Sequence, residues 1–115
     1  MYEFLDEVVI FLKTLGDETR LNILYLLMKE HISAKKIEER LEKSQSTISQ
    51  HLKSLIDAGL VEKIDSDNPE EKARIYKIKD DNIVKLIDSI KTFVISQKRA
   101  HLEKINDVNR LDTLL

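Results

Sequence analysis

The segment between Ser44 and Ile56 is almost free of charge, although the chain around it is rich in charge. It reads SQSTISQHLKSLI and contains one charged residue, Lys53, whereas charged residues make up 35% of the 115-residue sequence. Its apolar residues recur at helical spacing within an arc of about 100°, the width of the stripe that an amphipathic helix buries. They are Ile48, Leu52, Leu55 and Ile56. The segment therefore predicts an α-helix with one buried face and one uncharged, hydrogen-bonding face.

That uncharged polar face is the main functional signal in the sequence. A solvated helix face in this chain would carry Glu and Lys, as the neighbouring segments do. Hydroxyl and amide side chains cost less to desolvate than ions, and they both donate and accept hydrogen bonds. They suit close docking against another polar surface, such as the base edges in a DNA groove. Docking against another protein is the alternative interpretation of the same face.

Periodicity and capping residues predict three helices before this segment. Gly16 ends a first helix of about three turns, in the C′ position where glycine is favourable. Asp17 then caps a second helix. A short, polar third helix covers about 34–41 and is capped by Ser33.

After the third helix, the pattern predicts a fourth helix, a β-hairpin and a last helix. Ser44 caps the fourth helix and Gly59 stops it. Two runs with β-branched residues, 60–64 and 73–78, enclose a turn-rich loop and predict the hairpin. A long helix follows from about 81 to 110.

This order predicts a mainly α fold: a winged helix-turn-helix of four helices with a β-hairpin wing and a long C-terminal dimerisation helix. We expect residues 1–80 to form the DNA-binding domain, including the N-terminal helix, and 81–115 to be the dimerisation helix of the same domain.

The candidate DNA-contacting residues lie on the fourth helix, the segment 44–58. The polar centre opposite the apolar stripe comprises Ser46, Ser49, Gln50 and Lys53. Gln50 suits a bidentate pair with adenine, the two serines suit several bases, and Lys53 suits guanine or phosphate. Gln45 and Thr47, at the helix start, are better placed for phosphates. His51 lies at the edge of the apolar stripe and is predicted to be half-buried rather than a base contact.

Cations that flank this helix are further candidates for phosphate contact. Arg40 and Lys43 belong to a basic cluster, although interleaved glutamates leave a plain solvated face as an alternative. The hairpin contributes Lys63, Lys72 and Arg74. Its tip carries acids that phosphate should repel, namely Asp65, Asp67, Glu70 and Glu71. For Arg20, a structural ion pair with an acid of the first helices stays open.

The composition leaves few routes to catalysis or metal binding. There is no cysteine, only two glycines are present, and the histidines stand far apart at 31, 51 and 101. Thiolate sites and glycine-rich phosphate loops are thereby excluded, so an enzyme is the least favoured class and no cofactor is predicted. No apolar run approaches the about 20 residues that span a bilayer, so we expect a cytoplasmic protein without membrane contact. The net charge of −2 is an argument against nucleic-acid binding. Its weight is small, because phosphate binding depends on a local basic patch more than on the total charge.

The last helix predicts a homodimer. Its apolar residues form a continuous stripe that includes Ile83, Ile87, Ile90 and Val94. A helix this long extends past a small domain, so we expect the stripe to meet its two-fold mate, together with Phe4 and Val8 of the first helix. The alternative is that the stripe ends at Val94 and the rest of the helix frays.

Two stretches, LKTLGDETRLNILYLL and SQSTISQHLKSLIDAGLVEK, resemble the winged-helix ArsR/SmtB repressors. The resemblance covers about Leu12 to Ile78, and the second stretch is similar to the recognition-helix signature of that family. It implies a homodimeric repressor that binds double-stranded DNA and that a small-molecule inducer of unknown identity releases from its operator.

The metal sites of that family do not transfer to this sequence. The family's best-known sensors carry Cys-Val-Cys on the third helix, where this chain has Ser33 and Lys35. Others use Asp-x-His on the last helix, but Arg99 stands two residues before His101. The resemblance therefore implies a regulator that is not a metal sensor.

The sequence thus predicts a sequence-specific regulator that binds a palindromic operator through 44–58. Two alternatives remain: an architectural or plasmid-partition protein with the same fold, and a protein-interaction module. Salt dependence separates them, because DNA binding weakens steeply as counterions compete.

Overall fold

The computed structural model describes residues 2–66 and 74–114, with side chains up to 107. The chain divides into two compact units, Met1–Asp81 and Asn82–Leu115. The first unit contains α1 (Leu5–Leu15), α2 (Glu18–Lys29), β1 (Ile32–Ser33), α3 (Ala34–Leu41), α4 (Gln45–Asp57), β2 (Val61–Asp65) and β3 (Arg74–Ile78). The second unit is α5 (Asn82–Leu114). Lys72 and the acids at 67, 70 and 71 lie outside the described residues.

The three strands form an antiparallel sheet with β3 in the centre. β2 and β3 make the predicted hairpin, with a register that runs from Val61↔Ile78 to Asp65↔Arg74. β1 pairs with the other edge of β3 through Ile32↔Tyr76. This strand was not predicted, because two residues are too short to show an alternating pattern. The predicted helices and the hairpin are otherwise present.

Side-chain caps begin three of the helices where the sequence predicts them. The Asp17 carboxylate accepts the Arg20 N–H at 3.0 Å, the Ser33 hydroxyl accepts the Lys36 N–H at 3.3 Å, and the Ser44 hydroxyl accepts the Thr47 N–H at 3.2 Å. Each bond satisfies a backbone donor that has no partner inside its own helix. These predicted caps are confirmed.

The two glycines end helices in different ways. Gly59 follows α4 with φ 76°, a left-handed conformation that favours glycine. Gly16 ends α1 as predicted, but as the C-cap with φ −75° and ψ 9°, so its predicted C′ position is wrong. A Cβ at Gly16 would stand 3.2 Å from the carbonyl oxygen of Leu12. Close backbone approach, rather than a positive φ, is therefore what glycine provides there.

The core of the first unit is apolar and lies between α2, α3, α4 and the sheet. Ile23, Leu24, Ile37, Ile48 and Leu55 are completely buried, with 0% of their surface exposed. The predicted burial of Ile56 is wrong, because 37% of its surface is exposed. Ile56 is at the edge of the apolar arc, where a side chain borders both the core and solvent.

The second unit is a single helix of 33 residues. Ile83 and Ile87 near its start are buried, whereas Ile90 and Val94 are 45% and 44% exposed. Among the described residues, no helix is both long and apolar enough to cross a membrane.

Candidate nucleic-acid interface

The first turn of α4 is fixed by two hydrogen bonds between the same two residues. Ser44 Oγ accepts the Thr47 N–H at 3.2 Å and donates to Thr47 Oγ1 at 2.9 Å. An N-cap of this kind contributes about 1 kcal/mol to stability. Because the Thr47 hydroxyl accepts from Ser44, its own hydrogen is left to donate to an acceptor such as a phosphate oxygen.

One exposed side of α4 collects the predicted base-contacting residues. We call this side the recognition face; it comprises Ser46, Ser49, Gln50 and Lys53, which are all exposed. Ile48 and Leu52 on the other side are 0% and 2% exposed and attach the helix to the core. Gln45 is also exposed, at the start of the helix. The recognition face therefore presents hydroxyl, amide and ammonium groups from the first three turns of a helix that is well anchored from behind.

The turn between α3 and α4 carries the nearest flanking cations. Glu42 adopts a left-handed conformation with φ 55°, and the Lys43 N–H donates to the Glu38 carbonyl at 3.2 Å. This tight turn leaves Lys43 exposed directly before the cap of α4. Arg40 is half-exposed and forms an ion pair with Glu30, so it must exchange that carboxylate to reach a phosphate. Lys43 is thus the better placed of the two predicted phosphate contacts.

The described part of the wing holds its cations in weak local contacts. Arg74 Nε lies 3.7 Å from the Asp65 carboxylate, with the two side chains 63% and 93% exposed. Lys63 Nζ is 5.8 Å from the centre of the Tyr76 ring. An exposed ion pair contributes about 0–1 kcal/mol and an exposed cation–π contact about 0.5–1 kcal/mol, so both cations can exchange these contacts for phosphates at little cost.

Behind the recognition face, Arg20 connects three helices. Its Nε–H donates to His51 Nδ1 of α4 at 3.2 Å, and its Nη1–H donates to the Thr14 carbonyl of α1 at 3.3 Å. The Asp17 carboxylate caps α2 on the Arg20 backbone N–H and lies 3.9 Å from His51 Nδ1. The His51 side chain is 19% exposed, so the predicted half-buried histidine is confirmed.

The electrostatics of this cluster favour an ionised Asp17. The hydrogen bond from the Arg20 backbone N–H lowers the pKa of the Asp17 carboxyl below its ordinary value, while partial burial acts against it. The charge that His51 carries when protonated, and the guanidinium of Arg20, lower the pKa further. An ion pair with an acid was one of the open interpretations of Arg20; its guanidinium hydrogen-bonds to an imidazole and a carbonyl. No local pattern could have indicated this pair, because 31 positions separate Arg20 from His51.

Two apolar faces are exposed in addition to the polar site. At the N-terminal end of α1, the N-cap residue Phe4 and the helical Val8 are 71% and 48% exposed. On α5, Ile90 and Val94 remain exposed, whereas Ile83 and Ile87 are 5% and 3% exposed and offer little area to a partner. Within the described residues, no group of three or more His, Asp or Glu side chains could hold a metal ion.

A family model, described as bacterial regulatory protein, arsR family, matches residues 17–63. This range extends from the cap of α2 into β2 and includes the whole helix-turn-helix.

Two characterised relatives are similar to this chain. The biofilm growth-associated repressor of Agrobacterium fabrum is 33% identical over 84 residues, which cover 73% of this chain and 68% of the repressor. The transcriptional activator HlyU of Vibrio cholerae is 44% identical over 55 residues, which cover 48% of this chain. That match spans about half of the activator's length, 51%.

Solved structures share the fold. HlyU from Vibrio cholerae superposes with a TM-score of 0.65 at 30% identity, covering 81% of this chain and 97% of that structure. The homodimeric winged helix-turn-helix DNA-binding domain Mb0332 from Mycobacterium bovis gives a TM-score of 0.67 at 26% identity, covering 79% of this chain and 81% of that structure. The fold class predicted from the sequence is confirmed.

Proposed function

Because this chain belongs to the ArsR family of bacterial regulatory proteins, we propose that it is a homodimeric repressor that binds a palindromic operator through α4. The observation that carries this proposal is the recognition face, an exposed row of uncharged hydrogen-bonding side chains on a helix whose other side is buried in the core. Such a face fits the major groove, which displays donors and acceptors in a pattern that differs for each base pair.

The roles of the residues follow from their positions on α4. Gln50 and Ser49 contact base edges, because they lie near the middle of the recognition face within its first two turns. Lys53 is one turn further on and reaches guanine or phosphate. Lys43 and Thr47 bind phosphates at the start of the helix, where the exposed backbone N–H groups also favour anions.

A dimer supplies the second half of the operator. One recognition helix covers only a few base pairs, so two are needed, about one helical turn of DNA or a multiple of it apart. The homodimeric state named for the Mb0332 domain supports this arrangement, and so do the exposed Ile90 and Val94 on α5 and Phe4 and Val8 on α1. A monomer that left these side chains in water would expose apolar surface on each of the two helices, which invites association.

The direction of control is proposed as repression. The relatives include an activator and a repressor, and the match to the repressor covers the larger share of both chains. An operator that overlaps a promoter gives repression through exclusion of the polymerase.

Genomic footprint sequencing of the bound protein tests the proposal. We expect a small number of sites with two related half-sites, at least one of them upstream of a gene whose reporter rises when the protein is absent. Even coating of DNA without half-sites would favour an architectural role, and a reporter that falls would show activation.

Salt titration on one of these sites separates DNA binding from a protein-docking function. The logarithm of the affinity should fall linearly with the logarithm of the salt concentration, with a slope of about −0.9 for each phosphate contacted. Lys43→Gln should make the slope shallower by about 1.8 per dimer if Lys43 of each copy binds one phosphate. Lys13→Gln on α1, outside the helix-turn-helix, is the matched control. A flat salt profile would contradict the proposal and favour the protein-interaction alternative.

A further inference from the structure

We propose that Arg20 and His51 are positioning residues for the recognition helix, and that sequence-specific operator binding weakens when His51 is protonated. The inference rests on the proposed function and assigns it a proton dependence. Neither residue belongs to the recognition face, and both act through the placement of α4.

The hydrogen-bond pattern defines the protonation state of His51. Arg20 Nε–H is a donor in any state of the protein, because a guanidinium has no acceptor. His51 Nδ1, at 3.2 Å from it, must therefore offer a lone pair and carry no proton. The imidazole is then neutral, with its proton on Nε2.

Protonation of His51 would break this arrangement. A proton on Nδ1 would place two donors and two positive charges against each other at the distance of a hydrogen bond. The nearest carboxylate, Asp17, lies 3.9 Å from the same Nδ1 and could accept the new hydrogen bond. His51 would then be attracted toward the cap of α2, and the Arg20 guanidinium would no longer bind α4.

An exchange of Arg20 for Asp17 as the partner of His51 would affect α4, because this cluster links α4 to α1 and α2. The same guanidinium holds the Thr14 carbonyl at the end of α1, so its position is set by α1 and α2 together. His51 is one residue after Gln50 on α4. A movement of the His51 side chain relative to α2 therefore tilts or shifts the helix that carries Gln50, and an error of about 1 Å is large for a bidentate base contact.

Two charged groups face His51 within the part of the chain that the structure describes. They are Arg20 and Asp17, from α2 and its cap. On α4 itself, Lys53 is about 200° around the helix from His51. On α3 and the sheet, three ion pairs occupy charged groups away from His51: Arg40 with Glu30, Lys77 with Glu62, and Arg74 with Asp65. His51 Nδ1 therefore has a guanidinium at 3.2 Å and a carboxylate at 3.9 Å.

The test measures affinity for a footprinted operator and for a scrambled duplex between about pH 5.5 and pH 8.5, the range in which histidine changes charge. The ratio of the two affinities is the readout, since added positive charge strengthens binding to any DNA. We expect the wild-type ratio to fall about fivefold or more as the pH is lowered, the equivalent of one hydrogen bond. Circular dichroism at each pH verifies that the fold persists.

Substitutions separate positioning from plain structural support. His51→Asn retains an acceptor near the Nδ1 position and has no proton to gain, so its ratio should stay high and flat with pH. His51→Lys imitates the charged state and should be low and flat. Asp17→Asn keeps the cap but removes the carboxylate that could accept a hydrogen bond from a protonated His51, so its decline should be smaller than that of the wild type. His31→Gln and His101→Gln are matched controls and should decline as the wild type does.

Each outcome decides the inference. A wild-type ratio that does not change with pH, or a His51→Asn ratio that declines in parallel with the wild type, would overturn it and leave the proposed function standing. Loss of the pH response in His31→Gln or His101→Gln would assign it to another histidine and also overturn it. Equal affinity for operator and scrambled duplex at every pH would overturn the proposed function, and this inference with it.

Discussion

Ile90→Asp is expected to convert the protein to a monomer and to abolish operator binding without touching a DNA-facing residue. Ile90 is 45% exposed in the single chain and lies between Ile87, which is buried, and Val94, which is 44% exposed. The three side chains follow one stripe of α5 at helical spacing. Ile90 is therefore the first residue of the stripe with substantial apolar surface left for a second copy to cover.

The magnitude follows from that exposed fraction. Full burial of an isoleucine side chain stabilises by about 1.5–3 kcal/mol, so covering the remaining 45% contributes about 0.7–1.4 kcal/mol per copy. A dimer loses this contribution twice, and an aspartate at the same position places an unpaired carboxylate in the interface, which costs about 3 kcal/mol or more. The dimer dissociation constant should therefore rise at least about a thousandfold.

Analytical ultracentrifugation of the wild type and the variant measures this shift, with operator titration in parallel. Ile95→Asp is the matched control, because Ile95 is 37% exposed on the same helix but about 100° away from the stripe. It should remain dimeric and bind the operator. An Ile90→Asp protein that stays dimeric and binds normally, or an Ile95→Asp protein that dissociates equally, would refute the assignment of the interface to this stripe.

Two further predictions concern the cap of α2 and metals. Asp17→Ala should lower the free energy of unfolding by about 0.5–2 kcal/mol at pH 7 in urea titrations. Because the folded-state pKa of Asp17 is lowered, this difference from the wild type should shrink as the pH falls below the ordinary aspartate value of 3.8. An undiminished difference at about pH 2 would contradict the carboxylate's role. Isothermal titration with Zn²⁺ should give no stoichiometric site of sub-micromolar affinity that releases DNA, and such a site would implicate His101 with Glu103.

The fold could be predicted well from the sequence because its signals are local. Asp17, Ser33 and Ser44 each indicate a helix within three residues of their own position, and the structure uses all three as caps. The hairpin is indicated by two β-branched runs around a turn-rich loop. Features that depend on contacts distant in sequence were missed: β1 is a strand only because Ile32 meets Tyr76, 44 positions later.

In the candidate site, too, the features with local sequence signals could be predicted and those that depend on distant contacts could not. The recognition face could be predicted because a missing charge is visible in composition and because helical spacing separates its residues from the core. The partner of Arg20 could not, since a guanidinium in a helix gives no sign of whether a carboxylate, a carbonyl or an imidazole will face it. The sequence also could not show that Ile83 and Ile87 are buried whereas Ile90 is exposed, because helical spacing places all three on the same apolar stripe.

Sequence recognition by Gln50 and Ser49 is tested most directly by competition between operator and scrambled duplexes. The proteins are the wild type, Gln50→Ala, Ser49→Ala, and Asn22→Ala, the last being a matched control with an exposed amide on α2. Removing either recognition side chain should weaken operator binding by about 1–3 kcal/mol per half-site, leave scrambled binding nearly unchanged, and relax the preference at one position of each half-site. Equal weakening on both duplexes, or no weakening on either, would contradict the claim that α4 recognises DNA sequence through this face.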